Sequence, residues 1–177
     1  ENELQKLIAQ GIKGLIIDVR DNPGGYYDEV CKIADRLLPK GIIVYTEDRN
    51  NKREIENSDA RELDMPIVVL INGNSASASE VLAGALKDHK KGTLIGTKTF
   101  GKGLVQSIKV LEDGSGIKYT TARYFTPSGV CIHGIGIEPD IEVPLPDKYT
   151  GTPVSQIPRG DDIQFKTAVE VLRGKLQ

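Results

Sequence analysis

The chain has 177 residues and a formal net charge of −2, from 23 basic and 25 acidic side chains. This length suits one domain with a substantial core, and 38% hydrophobic residues argue against both a disordered chain and a membrane protein. The even charge balance and 5% aromatic content argue against a nucleic-acid-binding protein. Two cysteines, Cys31 and Cys131, cannot form a disulfide framework. We expect both to be small buried hydrophobes and predict no zinc site.

Helical and strand patterns alternate along the chain. The first half of the chain predicts an amphipathic helix over 1–10, a buried strand over 14–20, a helix with Val30, Ile33, Ala34, Leu37 and Leu38 on one stripe, a strand over 41–46 and a charged loop or hairpin over 47–63. A buried strand over 66–71, a helix with Val81, Leu82, Ala85, Leu86 and His89 on one face, and a short strand over 93–95 follow. The remainder predicts two β-rich stretches over 104–111 and 117–125, an irregular segment over 126–158, and a last helix from 161 with Phe165, Ala168, Val169, Leu172 and Leu176 on one stripe. This alternation predicts an α/β domain with a largely parallel sheet. Since the sequence already reads as helical at Glu1, we expect it to be a piece of a longer protein.

The most unusual local feature is the turn over 72–80, where small residues join a buried strand to a helix. Ser77 and Glu80 fit an S-x-x-E capping box, which gives Ser77 a structural role as N-cap. A serine at a helix start can also act as a nucleophile, because free backbone N–H groups nearby can stabilise an oxyanion. This segment alone favours the capping role.

A nucleophilic serine needs a general base. The chain has two histidines, and we expect His89 to pack at its helix end and His133 to be exposed in a glycine-rich loop. A Ser-His-Asp triad is therefore unsupported. Lys102 lies between two glycines and near Phe100, which makes it a candidate for a partly buried ammonium, although the segment alone favours an exposed loop lysine.

Two glycine-rich segments need separate interpretation. Residues 96–102 match the start of a P-loop, but Gly103 replaces the Mg²⁺-binding Ser or Thr and a strand pattern follows, so we predict no nucleotide binding. The turn Asn22-Pro-Gly-Gly25 is either a plain connection or a source of backbone N–H donors for an oxyanion or a carboxylate.

Taken in order, these segments resemble the C-terminal-processing, or tail-specific, serine proteases. The resemblance covers residues 1–144 and rests on four blocks: DVRDNPGG (18–25), NSASASE (74–80), KTFGKGLVQ (98–106), and TARYFTPSG (121–129) with GIGIEPD (134–140). It implies a ClpP/crotonase-like α/β core of stacked β-β-α units, with parts of the family's core and its PDZ domain lying outside this chain. It divides the chain into a protease core over 1–145 and a C-terminal tail with a docking helix over 146–177.

The resemblance also implies the site residues. Ser77 would be the nucleophile and Lys102 the base of a serine–lysine dyad, with Gln106 orienting Lys102. The backbone N–H groups of Ala78 and of Gly24 or Gly25 would form the oxyanion hole, while Ser75 and Ser79 would support the turn. No cofactor is implied.

The implied activity is that of a serine endopeptidase that cleaves proteins near unstructured, apolar C-termini. By resemblance alone, the parent protein is expected outside the cytoplasm; its membrane association and oligomeric state stay open. One alternative is a catalytically incompetent protein-binding module with the same fold. A crotonase-type acyl-CoA enzyme is a remote third reading, because it gives Ser77 and Lys102 no role.

Overall fold

The computed structural model describes all 177 residues of the chain. Its helices are α1 (Asn2–Ala9), α2 (Tyr27–Leu37), α3 (Ala78–Asp88) and α4 (Ile163–Gly174). Its strands are β1 (Leu15–Asp18), β2 (Gly41–Asp48), β3 (Arg53–Ser58), β4 (Ile67–Ile71), β5 (Gly92–Gly96), β6 (Leu104–Val110), β7 (Gly116–Phe125) and β8 (Ile141–Glu142). Two 3₁₀ turns, Asp147–Tyr149 and Val154–Gln156, precede α4. No helix has the length and apolarity needed to cross a membrane.

The first sheet is parallel and has the strand order β1-β4-β5-β8. All five residues of its central strand β4 are buried, because both faces of the sheet are covered. Ile67, Val69 and Ile71 belong to the larger core, which includes residues of α2 and α3. Val68 and Leu70 point the other way and belong to the smaller core beneath α4. The continuous apolar run in the sequence therefore predicted this strand correctly.

The second sheet is antiparallel and has the order β3-β2-β7-β6. The prediction of one largely parallel sheet is thus right for half of the strands and wrong for the other half. The charged stretch over 47–63 contains the turn and the second strand of the β2–β3 hairpin, and a hairpin is one of the two forms predicted for it. The turn at 113–116 joins β6 and β7, as its Asp-Gly-Ser-Gly sequence indicates.

The last helix packs on the parallel sheet. Ala168 is fully buried against β4 and β5, with Phe165 and Leu172 packed around it. Leu176 lies beyond the end of α4 and is exposed, and Ile33 of α2 is 50% exposed, so these two members of the predicted stripes do not join the core. Cys31 and Cys131 are both free; Cys31 is buried and Cys131 is partly buried.

A buried ion-pair network joins the start of α4 to the end of β1. Asp162 caps α4 by accepting a hydrogen bond from the Phe165 N–H. Its carboxylate also accepts two hydrogen bonds from the guanidinium of Arg20, at 2.8 and 2.9 Å. Arg20 donates two further hydrogen bonds to Asp18 and one to the side-chain oxygen of Gln164. The Arg20 side chain is only 2% exposed. This network fixes the backbone that leads into the Asn22–Gly25 turn.

Candidate active site

Ser77 lies where β4 passes into α3, and it is the N-cap residue of that helix. Its backbone angles are φ 57° and ψ −117°, a conformation that residues other than glycine seldom adopt. The side chain is partly exposed. A serine on such a strained strand-to-helix turn presents its hydroxyl away from the backbone, next to the free N–H groups of the helix start.

The two neighbouring serines hold the turn in place. Ser75 is fully buried, and its Oγ donates a 2.7 Å hydrogen bond to the carbonyl oxygen of Val19. Ser79 Oγ donates to the carbonyl of Asn22, which also accepts the N–H of Ala76. Both serines therefore have the structural role predicted for them. They hold the turn over 72–80, called the serine turn, against the Asn22–Gly25 turn.

The Asn22–Gly25 turn approaches Ser77 so closely that only glycine fits at position 24. A Cβ on Gly24 would lie 2.9 Å from both Ser77 Cβ and the Ala78 nitrogen, and the Gly24 φ is +103°. The Gly24 N–H donates to the side-chain oxygen of Asn22. The N–H groups of Ala78 and Gly25, by contrast, have no acceptor within the chain. The turn thus leaves two unpaired backbone donors beside the serine.

A fully buried carboxylate, Glu80, joins the serine turn to the loop over 97–103 between β5 and β6, which carries Lys102 and is called the lysine loop. Its Oε2 accepts 2.8 Å hydrogen bonds from the backbone N–H groups of both Ser77 and Lys102. Its Oε1 accepts from Thr99 Oγ1 at 2.6 Å and from the Gly101 N–H at 2.7 Å. The S-x-x-E pattern revealed the bond to Ser77, but nothing in the sequence indicated the three bonds to residues 99–102.

In space, the lysine loop packs between the start of α3 and the segment over 132–137. Thr99 exchanges hydrogen bonds with Ile137, and the Gly134 N–H donates to the Gly101 carbonyl. A Cβ on Gly103 would overlap the backbone nitrogen of His133, so the glycine is required by close packing. The two glycines that flank Lys102 are therefore explained by backbone contacts on this side of the loop.

The side chains of Lys102 and Gln106 are both exposed. The structure thus agrees with the exposed loop lysine that the segment alone favours for Lys102, and not with the alternative of a partly buried ammonium. No hydrogen bond links Lys102 Nζ to Ser77 Oγ or to Gln106. In apo structures such catalytic contacts are often long and tighten only when substrate binds. The backbone therefore brings the two loops together, while the lysine side chain stays open to solvent.

Other candidate nucleophiles and bases are placed elsewhere. His89 is the C-cap of α3, at the opposite end of the helix from Ser77, and its Nε2 contacts the Ile42 carbonyl oxygen at 2.7 Å. His133 is exposed, and neither histidine is hydrogen-bonded to Ser77. Burial, with the nearby Glu56 carboxylate, raises the pKa of Cys31 to about 11, so this cysteine is held as an unreactive thiol.

The P-loop resemblance of residues 96–102 has no structural counterpart. The segment after Lys102 is strand β6, where a nucleotide site would need a helix whose N-terminal N–H groups face the phosphates. No cluster of His, Cys, Asp or Glu has the geometry of a metal site. What the structure assembles is a serine, two unpaired backbone donors and a lysine-bearing loop, an arrangement found in serine peptidases.

Comparison with known proteins identifies the family. Residues 1–143 match the family model described as "Peptidase family S41", and the chain belongs to this family. Relatives named as carboxy- or carboxyl-terminal-processing proteases include one from Bartonella bacilliformis, which is 42% identical over 97% of the chain. One from Synechocystis sp. is 45% identical over 97% of the chain. The resemblance to the C-terminal-processing serine proteases is therefore confirmed.

Solved structures agree with this assignment. A photosystem II D1 C-terminal processing protease matches 82% of the chain with a TM-score of 0.76 and 44% identity. The tricorn protease shares the fold, with a TM-score of 0.60 at 24% identity. These neighbours confirm the ClpP/crotonase-like α/β core. The chain spans 46% and 39% of the two bacterial relatives' lengths and 39% of the D1 protease chain.

Proposed function

We propose that this chain carries the Ser77–Lys102 dyad of a serine endopeptidase that processes proteins near their C-termini. One observation carries the proposal: the backbone N–H groups of Ser77 and Lys102 donate to the same oxygen of Glu80. Residues 25 positions apart in sequence are thereby held side by side. The strained backbone at Ser77 supports the same assignment, because such strain concentrates at catalytic turns.

In the proposed reaction, Ser77 Oγ attacks the scissile carbonyl carbon while neutral Lys102 accepts the hydroxyl proton. Lys102 then gives this proton to the leaving amine as the peptide bond breaks. Water then attacks the resulting ester on Ser77 while Lys102 accepts a proton from the water. As the bond between the acyl carbon and Ser77 Oγ breaks, Lys102 returns that proton to Oγ, and the new C-terminus is released. Gln106, near the start of β6, is proposed to orient the lysine once substrate is bound.

The oxyanion would be bound by the N–H groups of Ala78 and Gly25. Of the two glycines predicted as donors, Gly24 has its N–H engaged with Asn22, whereas the Gly25 N–H is unpaired. Gly24 would instead allow the close approach of the two turns. Each such donor contributes about 10²–10³ in rate where it has been measured in other hydrolases.

A lysine acts as a general base only when it is deprotonated, which requires that it be desolvated. Because Lys102 is exposed here, we propose that bound substrate, or protein beyond this chain, covers it. The names of the relatives refer to C-terminal processing. We propose the same substrate class: protein chains with unstructured, apolar C-termini, met outside the cytoplasm.

A fluorophosphonate probe, which reacts covalently with an activated serine, tests the dyad. We expect labelling of the folded chain, none for Ser77→Ala, and a rate lower by about 10²–10⁴ for Lys102→Ala. Lys98→Ala is the matched control, because Lys98 is an exposed lysine of the same loop, paired with Glu138. Circular dichroism checks that each variant is folded. Labelling that survives Ser77→Ala would contradict the assignment.

The exposure of Lys102 also favours a second candidate, a binding module that retains the fold without an assembled site. This candidate predicts a folded chain that the probe does not label. It also predicts that a peptide with an apolar C-terminus binds equally to wild type and Lys102→Ala. Hydrolysis of that peptide by wild type, lost in Lys102→Ala, would exclude it.

A further inference from the structure

Glu80 has more hydrogen bonds than a helix cap requires. A buried carboxylate is costly unless hydrogen bonds replace its water, and the side chain of Glu80 is fully buried. All four of its donors are neutral, so no ion pair offsets the burial. Its place in the first turn of α3 helps, because negative charge is favoured there. A capping box uses only the bond to Ser77; the other three bonds go to the lysine loop.

The geometry fixes the separation of the two loops. Since the N–H groups of Ser77 and Lys102 both donate to Oε2 at 2.8 Å, their nitrogens cannot lie farther apart than those two bonds together allow. Oε1 holds Thr99 and Gly101, so the preceding part of the lysine loop is fixed by the same group. The positive φ of Ser77 persists only where its surroundings over-determine it, and the bond to Glu80 is one of those constraints.

We infer that Glu80 is a positioning residue, which sets the place of Lys102 relative to Ser77 and so holds the dyad ready for reaction. The inference rests on the proposed function of Ser77 and Lys102. Glu80 does not touch the reacting atoms in this role. It acts through the backbone of the two residues that do.

Two substitutions separate the effect of the length of the Glu80 side chain, the reach, from the effect of its charge. Glu80→Asp keeps the charge at the helix start but removes one methylene, so the carboxylate can no longer contact both loops. A misplacement of about 1 Å can lower a reaction rate by about 10²-fold, and we expect a loss of that size. Glu80→Gln keeps the reach, yet its amide group must face two of the four donors, so we expect a smaller loss of about tenfold.

The experiment combines two measurements on the folded chain. The first is the rate constant of fluorophosphonate labelling at Ser77. The second is backbone amide hydrogen exchange at Ser77 and Lys102, followed by NMR, which does not depend on activity. Val68→Ala is the control. Val68 is fully buried in the core beneath α4, so this substitution should lower the melting temperature without affecting the contacts of Glu80.

We expect Glu80→Asp to slow labelling and to accelerate exchange at both amides relative to the amides of β4, whereas Val68→Ala leaves the labelling rate and this ratio unchanged, because a global loss of stability affects all protected amides alike. Labelling of Glu80→Asp within about threefold of wild type would overturn the positioning role, as would unchanged exchange at the two amides. If Glu80→Asp does not fold, Glu80→Gln decides by the same two criteria. A wild-type chain that is folded but unlabelled would count against the proposed function alone, because the exchange measurement still tests Glu80.

Discussion

The parallel and antiparallel sheets of this chain bury their side chains to very different extents. The parallel sheet is covered by α2 and α3 on one face and by α4 on the other, and its central strand β4 is buried throughout. In the antiparallel sheet, the β6–β7 hairpin is exposed over most of its length, and Ile108, Val110, Ile117 and Tyr119 are all open to solvent. A buried sheet and a partly exposed sheet therefore meet within this chain.

The candidate site lies at the junction of these two sheets. Ser77 follows β4 of the buried sheet, while Lys102 lies just before β6 of the exposed sheet. The serine is thus fixed by the core, whereas the lysine depends on the loop contacts that cross between the sheets. This contrast suggests that stability is concentrated in the parallel half and that changes at the junction alter the site.

Truncation within the buried half should have the largest effect. Leu70→Ala removes a fully buried side chain beneath α4, and we expect it to lower the free energy of unfolding by about 3–4 kcal/mol. Urea denaturation measures this value. A loss below about 1 kcal/mol would mean that the parallel sheet is not the stable half.

The junction should be the next most sensitive region. In Gly103→Ala the new Cβ would overlap the His133 backbone and lie 2.9 Å from the Ile132 carbonyl carbon, and we expect a loss of about 2–3 kcal/mol. Gly116→Ala is the matched control, because its Cβ would meet only an ordinary contact with Ile108 at 3.5 Å. We expect it to stay within about 0.5 kcal/mol of wild type. Equal effects of the two changes would contradict the close packing at position 103.

Sequence reasoning found the buried half and the candidate site residues more readily than the contacts between them. The apolar run of β4 and the serine turn are local patterns, so both could be read from neighbouring residues. The antiparallel pairing of Tyr45 with Phe125 joins distant parts of the chain, and no local pattern specifies it. Glu80 is similar: its Thr99, Gly101 and Lys102 donors lie 19, 21 and 22 residues away, while a capping rule covers only three.

The buried ion pair between Asp162 and Arg20 should make the attachment of α4 depend on pH. Burial alone would raise the pKa of Asp162, but hydrogen bonds from Arg20 and the Phe165 N–H, with the charge of Arg20, lower it below the ordinary value of 3.8. The stabilisation is therefore fully present above about pH 4 and lost as pH falls through the lowered pKa. We expect Asp162→Asn, which keeps the helix cap and leaves Arg20 paired with Asp18, to cost about 2 kcal/mol at pH 7, the size of a hydrogen bond to a charged group.

This cost should shrink as the pH is lowered toward 2, because Asp162 of the wild type then also becomes neutral. Denaturation of both proteins at pH 7 and at low pH measures the difference. A constant difference across this range would contradict the charge pairing and leave only the loss of hydrogen-bond geometry as the cause.

The smallest effect is expected in the edge strand β6 of the exposed hairpin. Ile108 is 69% exposed, so Ile108→Thr removes little buried surface, and the β-branched threonine still suits a strand. We expect the free energy of unfolding to change by less than about 0.5 kcal/mol and the solubility to rise, because an apolar edge strand promotes aggregation. Denaturation and light scattering measure the two quantities. A loss above 1 kcal/mol would show that Ile108 makes stabilising contacts, and the contrast between the two sheets would then be smaller than the structure indicates.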